Sequence, residues 1–165
     1  MGHMANVFLF APQNFHNIGL FSRSLEYFGQ TECYVYDPHR IVREHYGKYR
    51  RRELRVTSRG AFETIRWVHV EDPKQFFDTP PGRPVATVAG ADALPLASFQ
   101  FAQSDIIVLG SESHGLPLEV VTACTARVTI PGQGKTESLN LAVAGSILLY
   151  EYRRQMKGAA APGGE

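Results

Sequence analysis

Positions 106 to 112 of the chain read Ile106-Ile107-Val108-Leu109-Gly110-Ser111-Glu112. Four consecutive large aliphatic residues are typical of a strand that is buried on both faces of a parallel sheet. The glycine that follows them lets the backbone turn tightly where the strand ends. Glu112 is therefore expected at the carboxyl end of a parallel strand, which is where open α/β sheets bind their ligands.

A second junction between a strand and a helix lies nearer the carboxyl terminus. Residues 127–130 predict a strand, and the glycine-rich residues 131–136 predict a loop. Ser138 is then expected to cap the next helix, which places the triplet Ser138-Leu139-Asn140 at its first turn. Apolar residues recur at helical spacing along that helix, at Leu139, Val143, Ile147 and Tyr150.

A third junction of this kind lies near the amino terminus. Residues 6–10 predict an apolar strand, residues 11–16 a turn-rich loop, and Asn17 the opening of a helix. Gly29 is expected to end this helix. The apolar positions of the helix are Ile18, Phe21, Leu25 and Phe28.

These three segments, in this order, resemble the motifs of the SpoU (TrmH) branch of the SPOUT superfamily, which are knotted methyltransferases that act on RNA. The matching patterns are Asn17-x-Gly19-x-x-x-Arg23, Gly110-x-Glu112-x-x-Gly115-Leu116, and Ile130-Pro131 with Ser138-Leu139-Asn140. The resemblance extends from about residue 6 to residue 155. The chain departs from the pattern at Phe15-His16, where the family often has a small residue or proline, and at Ser113, where a second glycine is common.

The order of strands and helices predicts an α/β fold with a mostly parallel sheet and helices on both faces. Strands are expected near residues 6–10, 33–36, 67–70, 85–89, 106–109 and 127–130. The resemblance adds a trefoil knot in the carboxyl-terminal part. A length of 165 residues suits one domain, expected at residues 5–157, after a tag remnant at residues 1–4 and before a disordered tail at residues 158–165.

The resemblance implies an enzyme that transfers a methyl group from S-adenosylmethionine to a ribose 2′-hydroxyl of RNA. It also implies a homodimer, because relatives use the knot region as an interface. The chain is too short for the extra RNA-binding domain of larger relatives, which favours tRNA over ribosomal RNA as the substrate. Two alternatives stay open: a ribosomal RNA methyltransferase, and a knotted module that binds RNA or S-adenosylmethionine without turnover.

The resemblance also assigns site residues by motif position. The expected catalytic residues are Arg23, Asn17, Glu112, Ser138 and Asn140. The expected cofactor-binding residues are Thr87, Val88, Ala89, Leu109, Gly110, Ser111, Gly115, Ile130, Pro131, Ser138, Leu139 and Asn140.

Arg23 is expected to act electrostatically, because a guanidinium is effectively always protonated and is a poor base. Asn17 and Asn140 are expected to orient Arg23 and the nucleotide. Glu112 is expected to anchor Asn17 or the neighbouring loop, and Ser138 to hold the cofactor or the active loop.

Each of these residues also has a simpler explanation. Arg23 could form a surface ion pair with Glu26, Asn17 could be only a helix cap, and Glu112 could be a carboxylate favoured at a helix start. Taken one at a time, these explanations are the stronger ones. The occurrence of all the motifs at three strand ends favours the functional interpretation.

Basic residues are concentrated in one stretch, although the net charge is only +1. The stretch from His39 to Arg66 contains nine basic residues and three acidic ones, and Tyr46 and Tyr49 lie among them. Such a stretch can be a solvated helix face, or it can neutralise phosphates while tyrosines stack on bases. With Arg23, the expected RNA-binding residues are Arg40, Arg43, Lys48, Arg50, Arg51, Arg52, Arg55 and Arg59.

Other chemistry is disfavoured by the sequence. Cys33 and Cys124 lie in or beside apolar segments, which suggests neither a disulfide nor a zinc site and fits a cytoplasmic protein. No apolar run of residues approaches the length of a membrane span. Gly134-Lys135-Thr136 lacks the earlier glycine of a phosphate-binding loop, because Thr129 stands there. The histidines, including His16 and His114, show no metal-ligand spacing and are expected to be loop or packing residues.

Overall fold

A computed structural model describes residues 6–43, 47–90 and 92–159 of the chain. The strands are β1 (Asn6–Phe10), β2 (Glu32–Tyr36), β3 (Arg66–His69), β4 (Arg83–Thr87), β5 (Leu94–Pro95), β6 (Asp105–Leu109) and β7 (Ala126–Thr129). The helices are α1 (Phe15–Tyr27), α2 (Gly47–Ser58), α3 (Ala61–Thr64), α4 (Pro73–Asp78), α5 (Leu118–Ala123) and α6 (Leu141–Ala159), with a short 3₁₀ turn at Leu96–Ser98.

The strands form one sheet in the order β3-β2-β1-β6-β4-β7-β5, and each pair of neighbours is parallel. The chain builds outward from β1 through β2 to β3 and then crosses to the other side of β1, where β4 to β7 lie and β6 is the strand next to β1. The boundary between β1 and β6 is therefore the point where the winding of the sheet reverses, a position at which α/β sheets bind ligands. The predicted fold class is confirmed, and β5, only two residues long, is a strand that the sequence did not predict.

Both faces of the sheet are covered. Val7 and Leu9 of β1 pack into a core with α1 and α6, while Phe8 packs on the opposite face with residues of α4 and α5. Neighbouring strand residues alternate between these two cores, as expected for a sheet buried on both sides. None of the helices formed by the described residues is long and apolar enough to cross a membrane.

Helix α1 begins two residues earlier than the sequence predicted. Asn14, not Asn17, is its cap, because the Asn14 side chain accepts hydrogen bonds from the backbone N–H groups of His16 and Asn17. Asn17 is consequently buried in the first turn. Gly29 ends the helix as predicted, with a φ of +78° and the N–H of Gln30 donating back to the carbonyl of Leu25.

Helix α6 begins at Leu141, so the prediction that Ser138 caps it is wrong. Asn140 is the cap, because its side-chain oxygen accepts hydrogen bonds from the N–H groups of Ala142 (2.9 Å) and Val143 (3.4 Å). The triplet from Ser138 to Asn140 therefore precedes the helix and is exposed. Because Asn140 is the cap, Ser138 and Leu139 lie in the loop before the helix, beside the carboxyl ends of β4, β6 and β7.

The apolar stripe predicted for this helix does not face the core. Leu139, Val143, Ile147 and Tyr150 are exposed, whereas the buried residues include Leu141, Leu148, Leu149 and Tyr152. Helix α6 packs on α1 through its buried side, with Gly145 so close to Phe21 that a Cβ there would lie 2.3 Å from the ring. The residues of the predicted stripe that lie on α6, which are Val143, Ile147 and Tyr150, therefore form an exposed apolar face.

The far end of α6 is held by the segment that leads into β6. The Tyr152 hydroxyl donates to the carbonyl of Gln103, and the Gln155 amide donates to the carbonyl of Phe99. The helix ends at Ala159, two residues beyond the expected domain boundary. The expected tag remnant and residues 160–165 of the expected tail lie outside the described residues.

Candidate active site at the reversal point of the sheet

A cavity of about 470 Å³ lies at the carboxyl ends of β4, β6 and β7. Its volume is in the range of small-molecule sites. Most of the expected cofactor-binding residues line it: Thr87, Val88, Ala89, Leu109, Gly110, Ser111, Gly115, Ile130, Ser138 and Leu139. Pro131 does not line it, and Asn140 lines a neighbouring groove.

The walls of this cavity combine apolar and polar side chains and carry two carboxylates. Leu109, Ile130 and Leu139 supply apolar surface, and the charged groups are the carboxylates of Glu112 and Glu137. Among the described residues, no lysine or arginine lines it, so it does not provide the cations that a phosphate ligand requires. A ligand with an apolar body and a positive centre suits these walls better, and S-adenosylmethionine with its sulfonium is such a ligand.

Glu112 joins the loop after β6 to the loop after β1. Its Oε2 accepts a hydrogen bond from the N–H of Gln13 (2.9 Å), and its Oε1 accepts from the N–H of Asn14 (3.1 Å) and from Nδ2 of Asn17 (3.0 Å). Both carboxylate oxygens are thus engaged by donors at the reversal point of the sheet. Glu112 anchors Asn17 and the loop together, and it does not act as a cap of the short helix that follows.

Asn17 and Asn140 extend this chain of hydrogen bonds to the third motif. Nδ2 of Asn140 donates to Oδ1 of Asn17 at 2.8 Å, while Nδ2 of Asn17 donates to Glu112. Because Asn14 caps α1, the simpler explanation of Asn17 as the cap is wrong. The side chains of Glu112, Asn17 and Asn140 connect the three motif segments in one hydrogen-bonded series.

The loop from Ser111 to Gly115 is held in a closed turn. Reciprocal backbone hydrogen bonds join Ser111 and Gly115, at 3.1 and 2.9 Å, and Gly115 has a φ of +66° that favours glycine. A Cβ on Gly110 would lie 2.2 Å from the carbonyl carbon of Gly115. Glycine is therefore required at position 110 for the turn to close over the strand end.

Arg23 lies apart from this series. Six helical positions separate it from Asn17, which amounts to about 9 Å along the axis and about 120° around it. Arg23 is exposed, and among the described residues it forms neither the ion pair with Glu26 nor a hydrogen bond to Asn17 or Asn140. The two asparagines make no hydrogen bond to Arg23 of the same chain, because their side chains bind Glu112 and each other.

Arg23 instead lines a larger, open groove of about 1110 Å³ between α1, α3 and α6. Asn140, Val143 and Ile147 line the same groove. Tyr27 also lines it, with 82% of its surface exposed. The groove therefore combines a cation with apolar residues that have no covering element among the described residues.

The basic stretch is only partly described. Arg52, Arg55 and Arg59 are exposed along α2 and just after it, and Arg59 lines the groove with Arg23. Arg40 is exposed, while Arg43 forms an ion pair with Glu71 that lowers the pKa of that carboxyl. Residue Tyr46 and the side chains of Lys48, Tyr49, Arg50 and Arg51 lie outside the described residues.

Sequence reasoning missed one polar cluster at the mouth of the cavity. Oγ of Ser113 donates to Oε1 of Gln13 at 2.7 Å and lies 2.6 Å from Nδ1 of His114. Both Ser113 and His114 line the cavity beside Glu112. The adjacent Ser113-His114 pair within the Glu112 motif is the signal for this cluster in the sequence, although His114 was predicted to be only a loop or packing residue.

The fold and the cavity define a parallel α/β protein with a cavity of small-molecule size at the carboxyl ends of β4, β6 and β7, beside the reversal point of its sheet. The model of the SpoU rRNA Methylase family matches residues 4–150, and the chain therefore belongs to that family.

Relatives carry names of RNA methyltransferases. A tRNA (cytidine(34)-2'-O)-methyltransferase of Ancylobacter novellus is 37% identical over 82 residues, which is 50% of this chain and 52% of the relative. A 23S rRNA (guanosine-2'-O-)-methyltransferase, RlmB of Acinetobacter baylyi, is 38% identical over 74 residues, 45% of this chain and 30% of the relative. The chain spans about half or less of the length of these relatives.

Two solved structures share the fold. One, from work on the 2-OH methylation of C/U34 on tRNA, has a TM-score of 0.82 and 26% sequence identity. The match covers 96% of this chain and 99% of the chain in that structure. The other is the SpoU methyltransferase AviRb of Streptomyces viridochromogenes in complex with AdoMet. It has a TM-score of 0.77 and 26% identity and covers 96% of this chain and 62% of its own.

Proposed function

We propose that this protein transfers a methyl group from S-adenosylmethionine to a ribose 2′-hydroxyl of tRNA. The observation that carries the proposal is the hydrogen-bonded series Glu112, Asn17 and Asn140, which joins three motif segments beside a cavity suited to a cationic ligand. Family membership and an AdoMet-bound neighbour of the same fold support the choice of cofactor.

The residues of this chain have distinct tasks in that reaction. S-adenosylmethionine, when bound, supplies an electrophilic methyl group. Leu109, Ile130 and Leu139 hold the adenosine against apolar walls, and backbone groups at Gly110 and Leu139 bind its polar edges. Thr87, Val88 and Ala89, at the end of β4, form a further wall, and Ser138 holds the loop before α6. Glu112, Asn17 and Asn140 fix the loops so that the methyl group and the hydroxyl can align.

Arg23 stabilises the negative charge that develops on the ribose oxygen or holds the adjacent phosphate. It lines the groove and not the cavity, so one chain does not bring Arg23 to its own cofactor. We propose that the protein is a homodimer in which the groove faces a second copy and Arg23 completes the partner subunit's site. The exposed apolar residues Val143 and Ile147 beside Arg23 support this arrangement.

The tRNA substrate is supported by two comparisons, the cytidine-34 enzyme and the structure concerned with C/U34 on tRNA. The exposed Arg52, Arg55 and Arg59 provide phosphate contacts beyond the cavity. The similarity to RlmB supports ribosomal RNA as the second candidate.

We also propose a knot in the carboxyl-terminal part and a cytoplasmic location. The knot is supported by the folds of the neighbouring structures and by α6, whose far end is bound by the segment before β6. A crystal structure traced from residue 80 to residue 159 would show whether the chain threads through its own loop. The buried free thiols of Cys33 and Cys124 fit a reducing compartment.

The experiment that tests the proposal is incubation of the purified protein with tritiated S-adenosylmethionine and, in separate tubes, tRNA or ribosomal RNA. Nucleoside analysis then identifies the labelled product. Label in a 2′-O-methylated nucleoside from tRNA is the expected result, and label from ribosomal RNA alone would favour the second candidate. Cofactor binding without label in either pool would favour a module that binds without turnover.

A further inference from the structure

The series of hydrogen bonds around Glu112 leaves one chemical requirement of the proposed reaction without a residue. A ribose hydroxyl must lose its proton as the methyl group arrives, and a guanidinium cannot accept it. Glu112 cannot easily accept it either, because both of its oxygens already accept hydrogen bonds from Gln13, Asn14 and Asn17. The remaining titratable groups that line the cavity are His114 and Glu137.

We propose that His114 accepts the proton of the ribose 2′-hydroxyl through its Nε2 atom. The inference rests on the proposed function, and its basis is the position of His114 on the cavity wall together with the hydrogen bonds of its Nδ1. Imidazole is the side chain whose proton exchange falls nearest neutral pH, which suits a general base. Glu137 is on an exposed loop and has no hydrogen bond or ion pair among the described residues to orient it.

The donation of the Ser113 hydroxyl to Gln13 indicates which imidazole nitrogen is free. Ser113 has one hydroxyl proton, and it is donated to Oε1 of Gln13 at 2.7 Å. The 2.6 Å contact between Oγ of Ser113 and Nδ1 of His114 is then a hydrogen bond in which Nδ1–H donates. A neutral imidazole with its proton on Nδ1 has an unshared electron pair on Nε2. Gln13 and Ser113 are therefore positioning residues for this tautomer.

The loop that carries His114 is held by several hydrogen bonds. Besides the paired backbone hydrogen bonds between Ser111 and Gly115, the N–H of His114 donates to Oγ of Ser111 at 3.3 Å. Gln13, which accepts the hydrogen bond from Ser113, itself donates its backbone N–H to the carboxylate of Glu112. The imidazole is thus connected, through Ser113 and Gln13, to the carboxylate of Glu112 that also binds Asn17.

The proton transfer balances with the methyl transfer. The 2′-oxygen of the ribose forms a bond to the methyl carbon as the carbon–sulfur bond breaks with its electron pair remaining on sulfur. The hydroxyl proton passes to Nε2 of His114, and the resulting imidazolium then releases it to water. The other titratable groups that line the cavity with His114 are Glu112 on the same loop and Glu137 before α6.

The first test compares steady-state methyl transfer by wild type, H114Q, S113A and H16Q across pH 5.5 to 9, with saturating cofactor and varied RNA. We expect H114Q to lower kcat by about 10²- to 10⁴-fold. It should leave the KM for RNA and the Kd for S-adenosylmethionine within about twofold, and remove the rise of kcat with pH. S113A should lower kcat less, because the imidazole remains but loses its tautomer partner. H16Q is the matched control, since His16 is an exposed histidine of α1 that does not line the cavity, and it should behave as wild type.

Added imidazole should restore part of the activity of H114A, which a purely structural role would not permit. If wild type methylates RNA and H114Q keeps its kcat and pH profile, the inference is overturned while the proposed function stands. If wild type transfers no methyl group, the proposed function fails instead.

A second measurement does not depend on activity. The ¹⁵N chemical shifts of the His114 ring in the free protein report which nitrogen carries the proton. We expect the Nδ1–H tautomer in wild type at pH 8 and its loss in S113A. The Nε2–H tautomer in wild type would overturn the assignment of Nε2 as the proton acceptor.

Discussion

Arg23 is exposed and makes no hydrogen bond or ion pair with any other described residue, so replacing it should leave the fold intact. We expect R23A to abolish methyl transfer and to keep the affinity for S-adenosylmethionine, because the cavity that suits this cofactor lies elsewhere. R23K is the control for charge alone. Kinetics and cofactor titration of the same preparations check the prediction, and loss of cofactor binding in R23A would show that Arg23 has a structural role.

The two cysteines should be inert in the folded protein. Burial raises the pKa of the Cys124 thiol to about 12 and raises the pKa of the Cys33 thiol even further. Both thiols are therefore protonated at neutral pH, and it is the thiolate that reacts with alkylating reagents. We expect no iodoacetamide label at pH 7.5 in the native protein and labelling of both cysteines in guanidinium chloride, measured by mass spectrometry. Native labelling at either position would contradict the buried placement.

The close contact between α1 and α6 depends on the absence of a side chain at Gly145. A Cβ there would lie 2.3 Å from Cε2 and 2.7 Å from Cζ of Phe21, so G145A should push the helices apart. We expect a loss of about 1–3 kcal/mol in the free energy of unfolding, despite the higher helix propensity of alanine. Urea denaturation measures it.

The double variant G145A/F21L tests the cause of that loss. Removing the ring relieves the overlap, so the two substitutions should be less costly together than the sum of the single variants. Strictly additive losses would mean that Gly145 is required for another reason.

Helix α2 carries the exposed Arg52 and Arg55, and none of its described residues lines the cavity. The double variant R52A/R55A should raise the KM for RNA and reduce the dependence of RNA binding on salt, by about 0.7 in the logarithmic slope for each phosphate that is no longer neutralised. K74A is a matched control, because Lys74 lies on α4 and pairs with Asp78. Electrophoretic mobility shifts at several salt concentrations measure the slope. A slope unchanged from wild type would show that this face is only solvated.

Elements differ in how far local sequence defines them. The long strands were predictable because short aliphatic runs followed by glycine or turn residues identify buried parallel strands. The orientation of α6 was not, since Val143 and Ile147 share the helix with Leu148, Leu149 and Tyr152, and periodicity alone does not show which apolar face is buried. The caps were misplaced because Ser138 and Asn140, like Asn14 and Asn17, are both good capping residues within a few positions of each other.

The candidate site was predictable in its parts and not in its connections. Motif positions identified Glu112, Asn17 and Asn140, but their contacts join residues 95 and 123 positions apart, and no local pattern records such pairs. The same limit hid the hydrogen bond between Ser113 and Gln13, which spans 100 positions. Arg23 was expected among these residues because it belongs to the same motif as Asn17, whereas the turn of α1 directs it to the other groove.

At the scale of the whole molecule, the separation of Arg23 from the cavity predicts that two copies are needed for each site. We expect I147E, which places a charge on the exposed face of α6, to give a monomer that has lost methyl transfer but keeps its fold. Light scattering after gel filtration measures the mass, and circular dichroism checks the fold. A monomeric wild type with full activity would contradict the proposed assembly.

Mixed dimers provide the sharper measurement. L139W should fill the cavity of its own chain, and R23A should disable only the other subunit's site. Because one site of a mixed dimer then carries both changes and the other carries none, unfolding and refolding the two inactive variants together should restore activity. No restoration, with mixed dimers confirmed by mass spectrometry, would place Arg23 and the cofactor on the same chain.

The hydrogen bonds among Glu112, Asn17 and Asn140 also bear on how the protein is made. Strand β1 is synthesised about 100 residues before its neighbour β6 and still longer before the cap of α6. Contacts of such sequence separation form slowly, since a long loop must close before they can stabilise anything. A nascent chain that ends before Asn140 therefore lacks the last member of the hydrogen-bonded series, so we expect methylating activity to be absent from translation products that end before this residue.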